Sequence, residues 1–377
     1  MHRRSFVALA VSSLAVVSLG VAASAAFAAS AAGEYRISGP VVHENLAIYL
    51  VHGKSAPGKI PLTLAEALTA KAVKVHETGN VNELQIENLG ADEVFVQAGD
   101  IVKGGQQDRV LTVSLILPSK SGRIPIASFC VEQGRWAARG KEDVKTFTTA
   151  AAAVPSREAK LAIRAPATAY AADPAPTGGS GRHARRDVGG SDTGSRQQEV
   201  WAKVRKVQEG LSSNLGATVN APASQSSLQL SLENEKLKDA QQAYITALKS
   251  VAEKDGDVVG YVFAINGKLN SAEVYPSNGL FRKMWDKLLQ ASVTEAIGAK
   301  NAGGEATPSS EAAMAFLDEA AGGTATEKPL PASVSLETRE AKKALYFETR
   351  RASGAGCTAA IWRSSALPTV GPAVGAR

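Results

Sequence analysis

The 377-residue sequence predicts an α+β fold, with an antiparallel β-rich N-terminal half packed with a helix–β-hairpin–helix C-terminal half. Three observations carry that prediction. Short runs alternating apolar and polar residues occur within residues 35–150, and a two-residue period marks half-buried strands. From residue 196 onward the apolar residues recur mainly at helical spacing. Between two of those helical runs, Asn266-Gly267 separates two apolar stretches, a strong signal for a tight hairpin.

In chain order, the first segment reads as an export signal. Arg3 and Arg4 precede an apolar stretch from Phe6 to Ala23, and Ala26-Phe27-Ala28 supplies the small-x-small pattern a signal peptidase reads. Residues 1–28 are therefore expected to be removed, after Sec or twin-arginine export, since Arg3-Arg4-Ser5-Phe6-Val7 resembles a twin-arginine signal. The expected location is periplasmic or extracellular. No membrane span is expected after signal removal, because no other stretch approaches ~18 apolar residues.

Residues 46–51 form a short apolar strand, and Thr63 three residues before Glu66 opens a capped helix. Residues 73–77 and 83–88 alternate cleanly, with Gly79-Asn80 as turn chemistry between them. Further strands are expected at 94–97, 109–117 and 123–131, spaced as in an antiparallel sheet or barrel. Residues 166–194 are rich in Gly, Ser, Pro and Arg, too poor in apolar surface to order themselves, and read as a flexible insertion. Helices follow at 197–211, 234–253, 280–299 and 309–321, with hairpin strands at 258–265 and 271–275 and a last strand at 344–349. Residues 352–377 lack any period and read as a disordered tail, which leaves 35–350 as a single domain.

Composition narrows the function. The chain has 42 Lys and Arg against 36 Asp and Glu, a net charge of +6. Losing Arg3 and Arg4 with the signal leaves +4, too diffuse a charge to predict nucleic-acid binding. The five histidines, His2, His43, His52, His76 and His183, show no ligand spacing, so no metal site is expected. No cofactor fingerprint occurs either. Cys130 and Cys357 imply no disulfide framework.

The densest polar chemistry lies in two segments, 99–109 and 129–136. In the first, Gly104-Gly105 precedes Gln106, Gln107, Asp108 and Arg109, with Lys103 just before. Adjacent glycines let a ligand approach the backbone, and the amide, ammonium and guanidinium donors suit a small polar or anionic ligand. The second adds Glu132 and Arg135. The leading expectation is a non-catalytic binding module using Lys103, Gln106, Gln107, Asp108, Arg109, Glu132 and Arg135. The competing reading of the same residues is structural, a turn whose arginines pair with Glu132 or Asp108.

Two alternatives stand beside it. Cys130 and Glu132 alternate along one strand, and with His76 they form weak candidates for a hydrolase or transferase site. A carboxylate beside a thiol raises its pKa, however, and a buried inert cysteine accounts for Cys130 as well. Trp136 reads as a core residue. A third reading is a structural protein that docks a protein partner through amphipathic helices 234–253 or 280–299, with Tyr244 and Trp285 on an exposed patch.

The block 99–109 followed by Phe129-Cys130-Val131-Glu132-Gln133-Gly134-Arg135-Trp136 resembles the ARG and rhodanese–phosphatase-superfamily-associated protein domain family, an uncharacterised bacterial domain. Residues 259–268, 281–289 and 198–201 look like its second half. The resemblance covers about residues 40–350. It implies one domain, 35–350, with a long internal insertion, and supplies no reaction.

Overall fold

The structure is a computed structural model that describes residues 35–164, 190–301, 304–351 and 356–363, with the side chains of 190–193 and 356–363 excluded. The expected signal peptide at 1–28 lies outside the described residues, as does most of the expected insertion. The fold is α+β, with three sheets and seven α-helices among the described residues.

The N-terminal half opens with the hairpin β1 (Arg36–His43) and β2 (Leu46–His52). The short strand β3 (Leu62–Thr63) leads into α1 (Leu64–Thr69), whose start is the predicted capping box. The Thr63 hydroxyl accepts from the Glu66 amide at 3.2 Å, and the Glu66 carboxylate accepts from the Thr63 amide at 2.7 Å. Strands β4 (Val73–Glu77) and β5 (Glu83–Asn88) have the predicted bounds, and β5 alternates half-buried and buried positions without a break.

Beyond them come β6 (Val94–Val96), β7 (Asp100–Gly104), β8 (Arg109–Leu111), β9 (Leu115–Leu117), β10 (Gly122–Cys130) and β11 (Phe147–Ala153). The single strand expected at 109–117 is two strands in different sheets. β8 joins the six-stranded sheet β11-β7-β8-β10-β5-β4, whereas β9 pairs with β6 in the small sheet β3-β6-β9. The change of partner falls at Thr112 and Ser114: Thr112 donates its amide to Ala127 and Ser114 accepts from the Ala98 amide. Hydrophobic periodicity runs smoothly through such a change, so it leaves no trace in sequence.

Helix α2 (Arg157–Ile163) and the long α3 (Gly190–Leu215) follow, then α4 (Leu228–Leu232), α5 (Glu235–Leu248) with a 3-10 turn at Lys249–Glu253, and the hairpin β12 (Val258–Ile265) and β13 (Lys268–Val274). Helices α6 (Asn278–Gly298) and α7 (Ser310–Ala321) precede the meander β14 (Thr324–Leu330), β15 (Val334–Glu340) and β16 (Ala344–Arg351). Only β16 of that meander is expected from sequence, because β14 is largely exposed and lacks a buried face. The region read as a disordered tail contributes β17 (Gly356–Arg363), which pairs with both β13 and β16. A strand supported on both edges by backbone bonding does not need the apolar alternation on which the sequence reading depended. Residues 364–377 lie outside the described residues.

The predicted Asn266-Gly267 hairpin forms, and β12 pairs with β2 rather than extending the six-stranded sheet. The resulting eight-stranded sheet runs β1-β2-β12-β13-β17-β16-β15-β14. Its β2–β12 region is covered on both faces. Leu46, Ile48, Leu50, Tyr261, Phe263 and Ile265 meet α3, α5 and α6, while Ala47, Tyr49, Val51, Val262 and Ala264 meet Phe316 and Leu317 of α7. Tyr244 and Trp285, expected on an exposed patch, are 3 % and 2 % exposed inside the first of these clusters. The apolar faces of α5 and α6 are thus used within the molecule.

Candidate functional site

The Gly-Gly pair has a local geometric reason. Gly104 and Gly105 have φ of +126° and +58°, the left-handed region in which side chains are strained. A Cβ on Gly104 would lie 2.9 Å from the Thr146 carbonyl oxygen, and one on Gly105 would lie 2.6 Å from the Phe147 ring. The glycines let the β7–β8 turn press against β11 and the chain before it.

Around this turn the structure gathers Gln107, Asp108, Arg109, Glu132 and Arg135, with Glu77, Arg139, Glu142 and Ser227, which sequence reasoning did not single out. Asp108 is fully buried and accepts from the Gly104 amide at 3.1 Å, from both Arg139 terminal nitrogens at 3.0 and 3.1 Å, and from the Ser227 hydroxyl at 2.8 Å. Glu132, equally buried, accepts from the Asp108 amide at 3.1 Å and Arg135 Nε at 2.8 Å. Arg109 donates to the Gln107 carbonyl at 2.9 Å and pairs with Glu77 at 3.3 Å. Its guanidinium lies 5.7 Å from the centroid of Trp136, which is 48 % exposed and so caps the cluster rather than filling a core.

Four carboxylates (Glu77, Asp108, Glu132 and Glu142) thus face three guanidinium groups. The cluster has no surplus positive charge to attract an anion. Burial works against the Arg139 charge, but Asp108 and Glu142 overcome it and hold the guanidinium above its ordinary pKa. Glu77 is detectable in retrospect as the acid that points opposite to His76 on the alternating strand β4. Arg139 lies in an irregular segment, and no periodic signal could have placed it.

The weak catalytic candidates each have other partners. Cys130 is a free, buried thiol at the end of β10, and its backbone exchanges two 2.9 Å hydrogen bonds with the Gln197 side chain. Burial pushes the thiol up to about 11, with Arg109 pulling it down and Glu77 and Glu132 raising it further. Glu132 lies beyond the strand end, committed to Arg135 and Asp108. His76 Nε2 meets Glu87 at 3.3 Å. No group of three His, Cys, Asp or Glu side chains among the described residues is placed to hold a metal.

Lys103 leaves the cluster. Its ammonium reaches Glu233 at 2.7 and 2.8 Å, at the C-terminal end of α4. Asp108 holds Ser227, the N-cap of the same helix, and Val131 accepts from the Leu228 amide at 3.0 Å. The two motif segments therefore clamp a five-residue helix at both ends. That helix forms one wall of a cavity of about 280 Å³ between β11, α4, α5 and α6. Gln229 of α4 borders the cavity and is 4 % exposed; its Nε2 donates to Glu233 at 2.9 Å and its Oε1 is buried without a partner. Gln106 Oε1 is also buried and unpaired, but it borders no described cavity.

A second cavity of about 450 Å³ lies between the β1–β2 turn and the Asn266-Gly267 turn. Several of its polar groups are paired within the molecule: Asn45 donates to Asn266 and to the Ala296 carbonyl, Asn266 donates to the Ala299 carbonyl, and Lys300 pairs with Glu44.

The class these features define is an α+β protein in which a buried ion-pair cluster on the N-terminal sheet fixes one wall of a small cleft. The chain matches the family model of the ARG and Rhodanese-Phosphatase-superfamily-associated Protein domain over residues 34–356, and it belongs to that family. Neither a curated protein nor a solved structure matches it. No described helix is long and apolar enough to cross a membrane.

Proposed function

We propose that this chain is an exported, non-catalytic binding module that takes a small polar ligand in the cleft between β11 and helices α4, α5 and α6. The observation that carries the reading is a cavity of about 280 Å³ walled by α4, a helix that Asp108 and Lys103 hold at its two ends. The ion-pair cluster acts through α4: Asp108, Lys103 and the 131–133 segment hold the helix that carries Gln229. Export rests on the character of residues 1–28, and places the module in the periplasm or outside the cell.

The test is a thermal-shift screen of the exported protein with sugars, amino acids, nucleotides and simple anions, run beside Ala151→Leu, a substitution at an exposed position on the cavity floor. A ligand at ~100-fold its dissociation constant adds about 2.7 kcal/mol of stability. A shift seen in the wild type and lost in Ala151→Leu is the expected result. A shift that survives the substitution places the ligand elsewhere and overturns the reading.

A further inference from the structure

No histidine borders the cleft described above, which is non-catalytic in that sense. The outer strands of the eight-stranded sheet bring a histidine together with a serine and an aspartate. The Ser38 hydroxyl of β1 lies 2.7 Å from His52 Nε2, and His52 Nδ1 lies 2.8 Å from Asp257 Oδ1. The register explains the meeting. Arg36 stands opposite His52 and Ser38 opposite Leu50, so Ser38 is a diagonal neighbour of His52 on one sheet face, within side-chain reach. His52 also pairs with Val258 of β12, and Asp257 is the residue before it. The Gly53 amide donates to the Asp257 carbonyl at 2.9 Å and ties the two strand ends together. Directly after Ser38 the β1–β2 register shifts, an irregularity of the kind that re-aims a side chain.

The order of these bonds fixes the imidazole. The hydrogen bond from His52, supported by the charge of Arg36, holds the Asp257 carboxyl below the ordinary carboxylate range, so at neutral pH it only accepts. Nδ1 then carries the ring proton, and Nε2 offers its lone pair to the Ser38 hydroxyl. Arg36 donates to the second Asp257 oxygen at 3.3 Å. His52 is buried, Ser38 is half-buried and Asp257 is open to solvent.

We propose that Ser38 is a nucleophile and His52 its general base, with Asp257 positioning the imidazole, in a second site that hydrolyses small carboxylic esters. Ser38 Oγ bonds to the ester carbonyl carbon as its proton passes to Nε2. The carbon–oxygen bond to the alcohol breaks, and Nε2 returns that proton to the departing oxygen. Water, giving a proton to Nε2 in its turn, adds to the acyl-Ser38 ester; the carboxylic acid departs and Oγ regains the proton. The substrate class follows from the setting. Neither cavity described above is lined by these residues, so no pocket selects a long acyl chain, and an alkoxide leaves more readily than an amine.

The test is reaction of the full chain with p-nitrophenyl acetate and, separately, with a fluorophosphonate followed by peptide mass mapping. The expected results are a burst of p-nitrophenolate stoichiometric with the chain and a phosphonyl adduct on Ser38. Ser38→Ala, at a half-buried position, should stay folded and lose both. His52→Gln should slow acylation by about 10²–10⁴-fold. Asp257→Asn, at an exposed position, should lower kcat by about tenfold or more at unchanged KM, because an amide no longer fixes the tautomer. A purely structural hydrogen bond would move the melting temperature and leave kcat alone. If His52→Gln fails to fold, the other two variants still decide. No burst or adduct in the wild type, an adduct elsewhere, turnover retained in Ser38→Ala, or kcat unchanged in Asp257→Asn overturns the proposal and leaves the three residues as an anchor for β1. The cleft reading has its own screen and is untouched by either result.

Discussion

Asp108 illustrates how much one buried carboxylate can organise. It joins the β7–β8 turn, Arg139 of an irregular loop and the N-cap of α4. Removing one partner of a buried pair leaves the other charged and unsatisfied, at a cost of about 3–5 kcal/mol. Asp108→Ala should therefore lower stability by that order in urea denaturation, and a loss below ~1 kcal/mol would show that the network closes without it. At Cys130 the expectation is inertness. With its thiol raised to about 11 by burial, alkylation at neutral pH should be slow until the protein is unfolded; rapid labelling of the native form would reopen the nucleophile reading.

Glu273 belongs to the same scale but predicts a pH effect. It is 1 % exposed on β13, and burial raises its pKa to about 7 against the pull of Lys160 and Arg164, with Asp100 adding to the rise. Facing the same buried region are Glu295 of α6, which accepts from Asn270 at 2.8 Å, and Tyr261 of β12. A raised carboxyl pKa favours the folded state while the group is protonated. That stability is fully present below the ordinary value of 4.5, falls as pH rises, and is lost once pH passes about 7. Glu273→Gln should flatten the decline of melting temperature between those limits, a difference of roughly 3 kcal/mol in the linkage relation. An unchanged pH profile would show that Glu273 ionises in the folded state as it does in the unfolded one.

At the scale of elements, the contact of α3 with α6 depends on a glycine, Gly210. A Cβ on Gly210 would come within 2.7 Å of the Gly298 carbonyl oxygen, which is backbone and cannot swing aside. Alanine normally favours a helix over glycine by about 1 kcal/mol, while overpacking costs about 1–3 kcal/mol. Gly210→Ala is expected to destabilise on balance, and a rise in thermal midpoint would show that the helices separate freely. Both helices are readable from their apolar spacing, whereas the close approach of their backbones is not.

For the whole molecule, β17 closes the large sheet. It lies between β13 and β16 and so connects β1, β2, β12 and β13 with the β14–β16 meander. Truncation after Arg351 would expose two strand edges, and exposed edges recruit other chains. The truncated protein should lose solubility and melt earlier; a monomeric product with the wild-type midpoint would mean that the two half-sheets stand alone.

The sequence by itself determined the α+β class, the bounds of β4 and β5, the capping box of α1, the hairpin at Asn266-Gly267 and the positions of the long helices. Each is a short-range consequence of period, capping or turn chemistry. It also marked residues 99–109 and 129–136 as the densest polar chemistry. Only the tertiary structure decided what that chemistry does, because Asp108 meets Ser227 across 119 residues and Lys103 meets Glu233 across 130. Local patterns carry no record of such pairings. The same distance effect split residues 109–117 between two sheets, and placed Gln229, with its unpaired oxygen, on the wall of a cleft built from segments far apart in the chain.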